Sequence, residues 1–510
     1  MKSTKRPKAP KTTKRPKAPK KSKANQTVVG GTPTVGGTPT VGGVPTVGGA
    51  PTVGGTPTAG GTPTSQPTVK PSSQPTVKPS SQPTVKPSSQ PTGKPSSQPT
   101  VKPSSQPSNP VPNWHQKGLD IDGEAASDYS GSSVSLSSDG TVVAIGAQYN
   151  DGVNGSNSGH VRVYAWDGTT SDWVQKGADI DGEANGDYSG GSVSLSSNGN
   201  IVAIGAHYND GTDNSAGHVR VYEWNAGTFD WVQKGADIDG EACGDMSGKS
   251  ISLSSDGLVL AIGAPGNQGG DYYNGHVRVY EWNISFWQQK GADIDGAGNR
   301  DDFGKSVSLS SDGNILAIGA PNYVIDGYYS GHVRVYAWNG SAWNQRGTDI
   351  DAEGDDDNSG SSVSLSSDGT ILAIGAPLNS GNGGAGHVRV YEWNGTTWNQ
   401  RGTDIDGEAG GDGSGTSVSL SSDGSILAIG ARNNAGINGF RSGHVRVYEW
   451  NGTTWVQKGR DIDGEAANNY SGGSVSLSGD GSFLAIGADF NAGINGTNSG
   501  HVRVYEYIIV

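Results

Sequence analysis

The sequence predicts an all-β fold: a seven-bladed β-propeller of four-stranded antiparallel blades, preceded by a long low-complexity tail. Three observations carry this. The phrase Gly-His-Val-Arg-Val-Tyr begins at Gly159, Gly217, Gly275, Gly331, Gly386, Gly443 and Gly500, so its histidines recur every 55 to 58 residues, a period that marks a repeat architecture. Hydrophobic residues make up only 32% of the chain while 83 residues are Gly, which suits short strands joined by tight turns. The last repeat stops at its own Gly-His-Val-Arg-Val-Tyr strand, whereas a Trp-x-Gln strand at 114–121 precedes the first repeat without a blade of its own. Setting that strand beside residues 501–507 completes the last blade, places Trp114 near Tyr507 and removes the edges an open array would leave.

Charge divides the chain at the same place. Of the 36 Lys and Arg, 16 lie in residues 1–113, which contain no acid, leaving 20 basic residues against all 49 acidic ones in residues 114–510. Residues 1–26 repeat Thr-Lys-Arg-Pro-Lys-Ala-Pro-Lys from Thr4 and Thr13. Like charges with interspersed Pro form no core, so this stretch reads as a disordered basic arm for a polyanion: an acidic polysaccharide, a mineral surface or a nucleic acid. Residues 27–113 read as a disordered stalk, with Val-Gly-Gly-Thr-Pro-Thr hexads and then Ser-Gln-Pro-Thr-Val-Lys-Pro-Ser octads. Gly-Gly gives flexible coil and paired Pro gives extended polyproline II. No apolar run reaches the length of a membrane span, and no ordinary signal peptide follows Met1. Cys243 is the single cysteine, which excludes a disulfide scaffold.

Residues 114–510 form the propeller. In the second unit, Trp173–Ile180, Ser192–Ser196, Ile201–Ala206 and His218–Trp224 read as strands. The second and third are joined by Ser-Asn-Gly, or Ser-Asp-Gly elsewhere, a turn whose Gly accepts positive φ. The fourth turns back through Trp-Asn-Gly-Thr-Thr-Trp, as at Trp393 to Trp398, so the two Trp form a cross-strand pair.

Asp302-Phe303-Gly304-Lys305-Ser306-Val307 followed by Ala317-Ile318-Gly319-Ala320-Pro321 resembles an FG-GAP repeat, the unit of integrin α-subunit propellers. Looser versions recur, such as Tyr188-Ser189-Gly190-Gly191-Ser192-Val193. The resemblance implies seven blades with Ser-Val-Ser-Leu innermost, the Trp-x-Gln strand outermost, and recognition at the cell surface. It does not bring the family's calcium loop, because the first two strands of each blade are joined here only by the tight Ser-Asp-Gly turn. A second similarity, to WD40 repeats, rests on Leu253-Ser-Ser-Asp-Gly257 and Val277-Arg-Val-Tyr280.

The acids concentrate between blades in the phrase Asp-Ile-Asp-Gly-Glu. Asp120, Asp122 and Glu124, Asp179, Asp181 and Glu183, Asp237, Asp239 and Glu241, and Asp404, Asp406 and Glu408 are candidate ligands for a cation such as Ca²⁺, which takes six to eight oxygens, or an acidic face for a partner. The same acids also read as turn caps and solvated surface. Arg162, Arg220, Arg278, Arg334, Arg389, Arg446 and Arg503 lie between valines on packed strands. A buried Arg must be paired, so each is expected to latch onto an Asp of a linker. His115 and His207 stand outside the repeat and read as surface.

No nucleophile elbow, phosphate loop or His/Cys metal spacing stands out, and near-identical blades offer few unlike residues from which to build an active site. The expectation is a non-enzymatic binding or adhesion protein, extracellular or at the cell surface, that recognises a protein or glycan partner. The alternative is a cytoplasmic or nuclear scaffold of WD40 type whose basic arm contacts nucleic acid.

Overall fold

A computed structural model describes residues 112–509 except 269–272, 299, 326 and 327. The expectations for the basic arm and nearly all of the stalk fall outside the described residues. Seven antiparallel sheets form the blades. In blade 2 the order from the axis outward is Ser192–Leu195, Ile201–Ala206, His218–Asn225 and Asp230–Gln233. A two-residue strand, Ile238–Asp239, turns back to pair with His218 and Val219. Blade 7 takes its outer strand from the other end of the propeller: Asn113–Gln116 pairs with His501–Ile508, and Trp114 lies opposite Tyr507. The ring is therefore closed as the sequence predicts. Two additions decorate the loops, a hairpin of Val324–Ile325 with Tyr328–Tyr329 and a helical turn at Gly381–Gly384.

The core is a set of layers between blades, and this explains the composition. Val142, Ala144, Val161 and Val163 of blade 1 pack with Val193, Leu195, Val202 and Ile204 of blade 2. The second strand is covered on both faces, so every residue of Ile201–Ala206 is buried. Its small residues let the blades approach. A Cβ on Gly205 would stand 2.1 Å from the carbonyl oxygen of Gly248 in the next blade.

Polar bonds join the blades at two radii, and each series runs unbroken around the ring. Innermost, the central Ser of Ser-Val-Ser-Leu accepts the Leu N–H of the following blade, as from Leu195 to Ser135, at 2.9–3.0 Å, and Leu136 to Ser476 closes the circle. The first Ser of the same phrase donates to the carbonyl of a Gly in the next blade at 2.7–2.9 Å, closing from Ser474 to Gly131. Serine thus faces each neighbour at the positions where an ordinary sheet would place apolar residues. At the circumference, each outer-strand Trp donates its indole N–H to the backbone carbonyl of a Lys or Arg in the preceding blade at 2.7–2.9 Å. The Trp pairs of the outer hairpins lie 5.3–5.5 Å apart. The side chain of that same Lys or Arg covers a ring of the pair, as Lys234 does over Trp282 at 4.7 Å.

Candidate functional site

One face of the ring gathers the linkers, the loops after the second strands and the starts of the third strands. Its outer rim is built by the Asp-Ile-Asp-Gly-Glu phrase. Pairing of Ile180–Asp181 with Val161 and His160 buries Ile180 and leaves an Asp on either side of it. The chain then crosses to the next blade, so the acids of one linker are split between two neighbouring groups. Asp179 joins His160 and Glu124, the Glu of the preceding linker, while Glu183 joins His218 and Asp237. Glu241 likewise meets His276 and Asp293, and Asp120 meets Glu465 and His501. Glu408 lies 3.8 Å from the Nδ1 of His444, and Asp404 is among the charges acting on His387.

The second Asp of each linker contributes its backbone. The carbonyls of Asp122, Asp181, Asp239 and Asp406 each accept from Arg162, Arg220, Arg278 and Arg446 at 2.6 Å. Arg389 and Arg503 bond Asp351 and Asp463 in the same way. The Arg charge faces the Glu, as Arg162 faces Glu124 at 3.6 Å. The expected Asp carboxylate latch is formed at Arg334, whose Nε and Nη2 bond the two oxygens of Asp349 at 3.0 and 2.9 Å. Ala297 stands where the other six linkers place Glu, Glu353 before Arg389 included, so Arg334 turns to the linker that follows. Elsewhere the carbonyl wins because the linker backbone runs directly past the guanidinium.

Burial governs the charges of this rim. It pushes Glu124 and Glu183 above the usual carboxylate range, and Asp122 and Asp181 likewise, with the neighbouring Asp of the phrase adding to the rise. It pushes His160 and His218 down to about 4, helped by the adjacent Arg. Each group offers an imidazole nitrogen and two carboxylates beside a guanidinium. That donor set is poor in oxygen for Ca²⁺, and the three acids of a linker do not converge on one ion.

The inner mouth of the same face breaks the sevenfold pattern. The residue before each Ser-Gly or Phe-Gly is in the left-handed region at Tyr129, Tyr188, Met246, Asp302, Asn358 and Tyr470, with φ of 53–55°, a conformation uncommon without Gly. Blades 7, 1 and 2 place aromatics at the mouth in an unbroken arc: Tyr470 to Phe490 at 4.8 Å, Phe490 to Tyr129 at 4.8 Å, Tyr129 to Tyr149 at 4.8 Å, Tyr149 to Tyr188 at 5.1 Å and Tyr188 to Tyr208 at 5.2 Å. Arg432 covers Tyr470 at 5.1 Å and meets Asp489 at 3.8 Å; burial holds Asp489 up at about 6. At the other end of the arc, His207 is 2% exposed, so it is no surface residue, whereas His115 is exposed. Burial beneath Tyr208 and beside Lys249 drives His207 down to about 3.

Tyr129, Tyr188 and Tyr470 belong to a recurring Tyr-Ser-Gly phrase, whereas the mouth residues of the loops after the second strands do not repeat. Their signal is variation. The two residues after Ala-Ile-Gly-Ala are Gln148-Tyr149, His207-Tyr208, Pro265-Gly266, Pro321-Asn322, Pro377-Leu378, Arg432-Asn433 and Asp489-Phe490, unlike in every blade within a frame that hardly changes.

No curated protein matches the chain. Among solved structures, it is similar to a candidate 6-phosphogluconolactonase from Bacteroides uniformis at 14% identity and a TM-score of 0.46, covering 65% of this chain and 85% of that one. A second candidate 6-phosphogluconolactonase, from Bacteroides fragilis, is similar at 13% identity and a TM-score of 0.45, covering 65% and 84%. Residues 78–110 match the PT disordered repeat. Residues 119–164, the linker into blade 1 and that blade through Tyr164, match the FG-GAP repeat, and the chain is thus a seven-bladed β-propeller whose first blade carries that repeat.

Proposed function

We propose that this is a non-enzymatic binding protein that presents the loop face of a rigid propeller to a protein or glycan partner at the cell surface or in a matrix. One observation carries the reading: unlike residues from blades 6, 7, 1, 2 and 3 are gathered at one mouth of an otherwise repetitive ring. Aromatic rings with a few polar groups among them suit recognition. The rim acids and histidines support a structural role, since they recur blade by blade and hold the third strands to the linkers. Residues 1–26 serve as an anchor on a polyanion, and residues 27–113 as the spacer between anchor and propeller.

The test is binding of the full-length protein to an array of oligosaccharides and matrix proteins, with a Tyr149→Ala/Tyr188→Ala variant beside it. Binding that the variant loses while keeping its thermal midpoint supports the reading. Binding that the variant retains in full removes the mouth from the function, and nuclear staining of the full-length protein in its own cells overturns the surface location.

A further inference from the structure

We infer that the depression at the end of the aromatic arc, between blades 1, 2 and 3, binds an acidic sugar, its pyranose ring laid on the tyrosines and its carboxylate on Lys249. The inference rests on the binding-protein reading above and narrows it to one ligand class. The depression has a volume of about 580 Å³, and Tyr149, Tyr188, Tyr208, His207, Lys249 and Asp210 line it.

The tyrosines supply the platform. Tyr149 and Tyr188 meet edge to face at 86°, and Tyr188 and Tyr208 at 64°. Tyr149 and Tyr208 are exposed. Rings set edge to face leave a face of one and an edge of the next toward a ligand, a stepped surface that fits the C–H face and the hydroxyl rim of a pyranose.

The charge is what singles out an acid. The residue after the Gly of the Ser-Gly or Phe-Gly phrase is Ser132, Gly191, Ser361, Thr416 or Gly473 in five blades, and Lys249 and Lys305 in blades 3 and 4. Lys249 reaches the Nε2 of His207 at 3.3 Å. Among the described residues no carboxylate lies within ion-pairing distance of it, and the charge that acts on it is a second cation, Lys305. Burial and Lys305 together hold its ammonium down to about 8, so it is charged at neutral pH but carries a desolvation cost that no protein anion offsets. A charged Lys249 donates to Nε2, which assigns the ring proton of His207 to Nδ1. That Nδ1 is buried and has no hydrogen-bond partner. An ammonium with no carboxylate partner beside a ring N–H with no acceptor asks for an anion. Asp210 in the same depression and the acidic rim outside it disfavour a multiply charged phosphate more than a single carboxylate.

The test titrates the full-length protein calorimetrically, at physiological salt, with tetragalacturonate and with its methyl ester, which removes the charge and keeps the rings. The expected result is that the acid binds about tenfold more tightly than the ester. Lys249→Gln lowers the acid's advantage over the ester, Lys249→Arg keeps it, and Tyr188→Ala weakens both. Residues 1–26 attract the acid and not the ester in every variant, so the site is read from the change in the acid's advantage between variants and not from its size in one protein. An advantage of the acid that Lys249→Gln leaves undiminished overturns the site, as does equal affinity for acid and ester. Tetraglutamate binding as tightly as tetragalacturonate, with the same dependence on Lys249, overturns the sugar in favour of an acidic peptide. If neither saccharide binds, this inference falls alone when the array still shows a partner lost by the mouth variant, and both readings fall when it shows none.

Discussion

Trp114 donates its indole N–H to the carbonyl of Lys458 at 2.8 Å, across 344 residues of chain. Its ring lies 5.3 Å from that of Tyr507. The same bond joins every other pair of neighbouring blades, so the seam of the ring has the chemistry of its continuous joints. Truncating Trp114 to Ala removes the bond and a buried indole, and is expected to cost about 3–5 kcal/mol. Trp231→Ala, the same change inside the continuous chain, should cost a similar amount. The two differ in association: loosening Asn113–Gln116 bares the edge of His501–Ile508, which can then pair with another molecule. Urea midpoints and light scattering together check this, and a Trp114→Ala protein that stays monomeric at high concentration would count against a clasp at the seam.

Asp349 is the carboxylate on which the half-buried Arg334 depends. Burial works against its ionisation, but hydrogen bonds from Arg334 and Gln345 hold it below the usual carboxylate range. Asp349→Ala leaves Arg334 unpaired and should destabilise by about 3 kcal/mol. The equivalent Asp179→Ala removes a group that bonds Gln175 at the surface, and its effect should stay under about 1 kcal/mol. Denaturant midpoints of the two variants decide whether the Arg latch differs in this blade.

Stability should fall as the solution is acidified below neutrality. His160, His218, His332, His444 and His501 are held down to about 4, and His207 to about 3, first of all by burial. Their folded values lie below the ordinary 6.5, so the unfolded chain takes up protons first and the stability present above 6.5 drains as pH drops toward 4. By pH 5 each histidine accounts for about 2 kcal/mol, and several together rival the whole stability of an ordinary domain. The raised rim carboxylates act in the opposite sense once the pH enters their range. Thermal midpoints should decline steeply from pH 6.5 to 5; a flat profile would show that these imidazoles are wet.

Gly205→Ala should be among the most damaging single changes in blade 2. The new methyl meets backbone rather than a side chain that could swing away, and relief requires the blades to part. A loss of at least about 2 kcal/mol is expected, measured by chemical unfolding, whereas Ala203→Gly should cost about 1 kcal/mol.

Millimolar Ca²⁺ should leave the thermal midpoint of the full-length protein where EDTA leaves it. A ligand at a hundred times its Kd stabilises by about 2.7 kcal/mol per site, so a rise specific to Ca²⁺ would place oxygen ligands where the rim presents histidines and a guanidinium.

The frame of this protein was legible because it is written seven times. Period, turn chemistry and the stray strand at Trp114 were enough to place blades and closure, and the resemblance to the FG-GAP repeat supplied the order of strands from the axis outward. The Arg contacts were half legible. Burial between valines demanded a partner, but the choice of a backbone carbonyl over an Asp side chain depends on the path of the linker, which no spacing of residues reports. The grouping of the acids failed for a related reason. Neighbours in Asp-Ile-Asp-Gly-Glu part company when the chain steps between blades, and Glu124 ends beside Asp179 instead of Asp120. His207, Tyr149, Tyr208 and Phe490 were hidden because they occupy the positions where the repeat fails to repeat.

The clasp at Trp114 also orders events in time. Ribosomal synthesis makes the strand Asn113–Gln116 before any blade and its partner His501–Ile508 after all the others, so the first strand made is the last that can be placed. Six blades can take up their internal pairings as they emerge, each against the one before. The seventh must wait, and until it does the nascent ring has two raw ends: the inner strand of blade 1 without its neighbour, and an outer strand with nothing to cover. Closure of so long a loop is slow in entropy but is needed only once, and with it the beginning and the end of the propeller come to lie side by side.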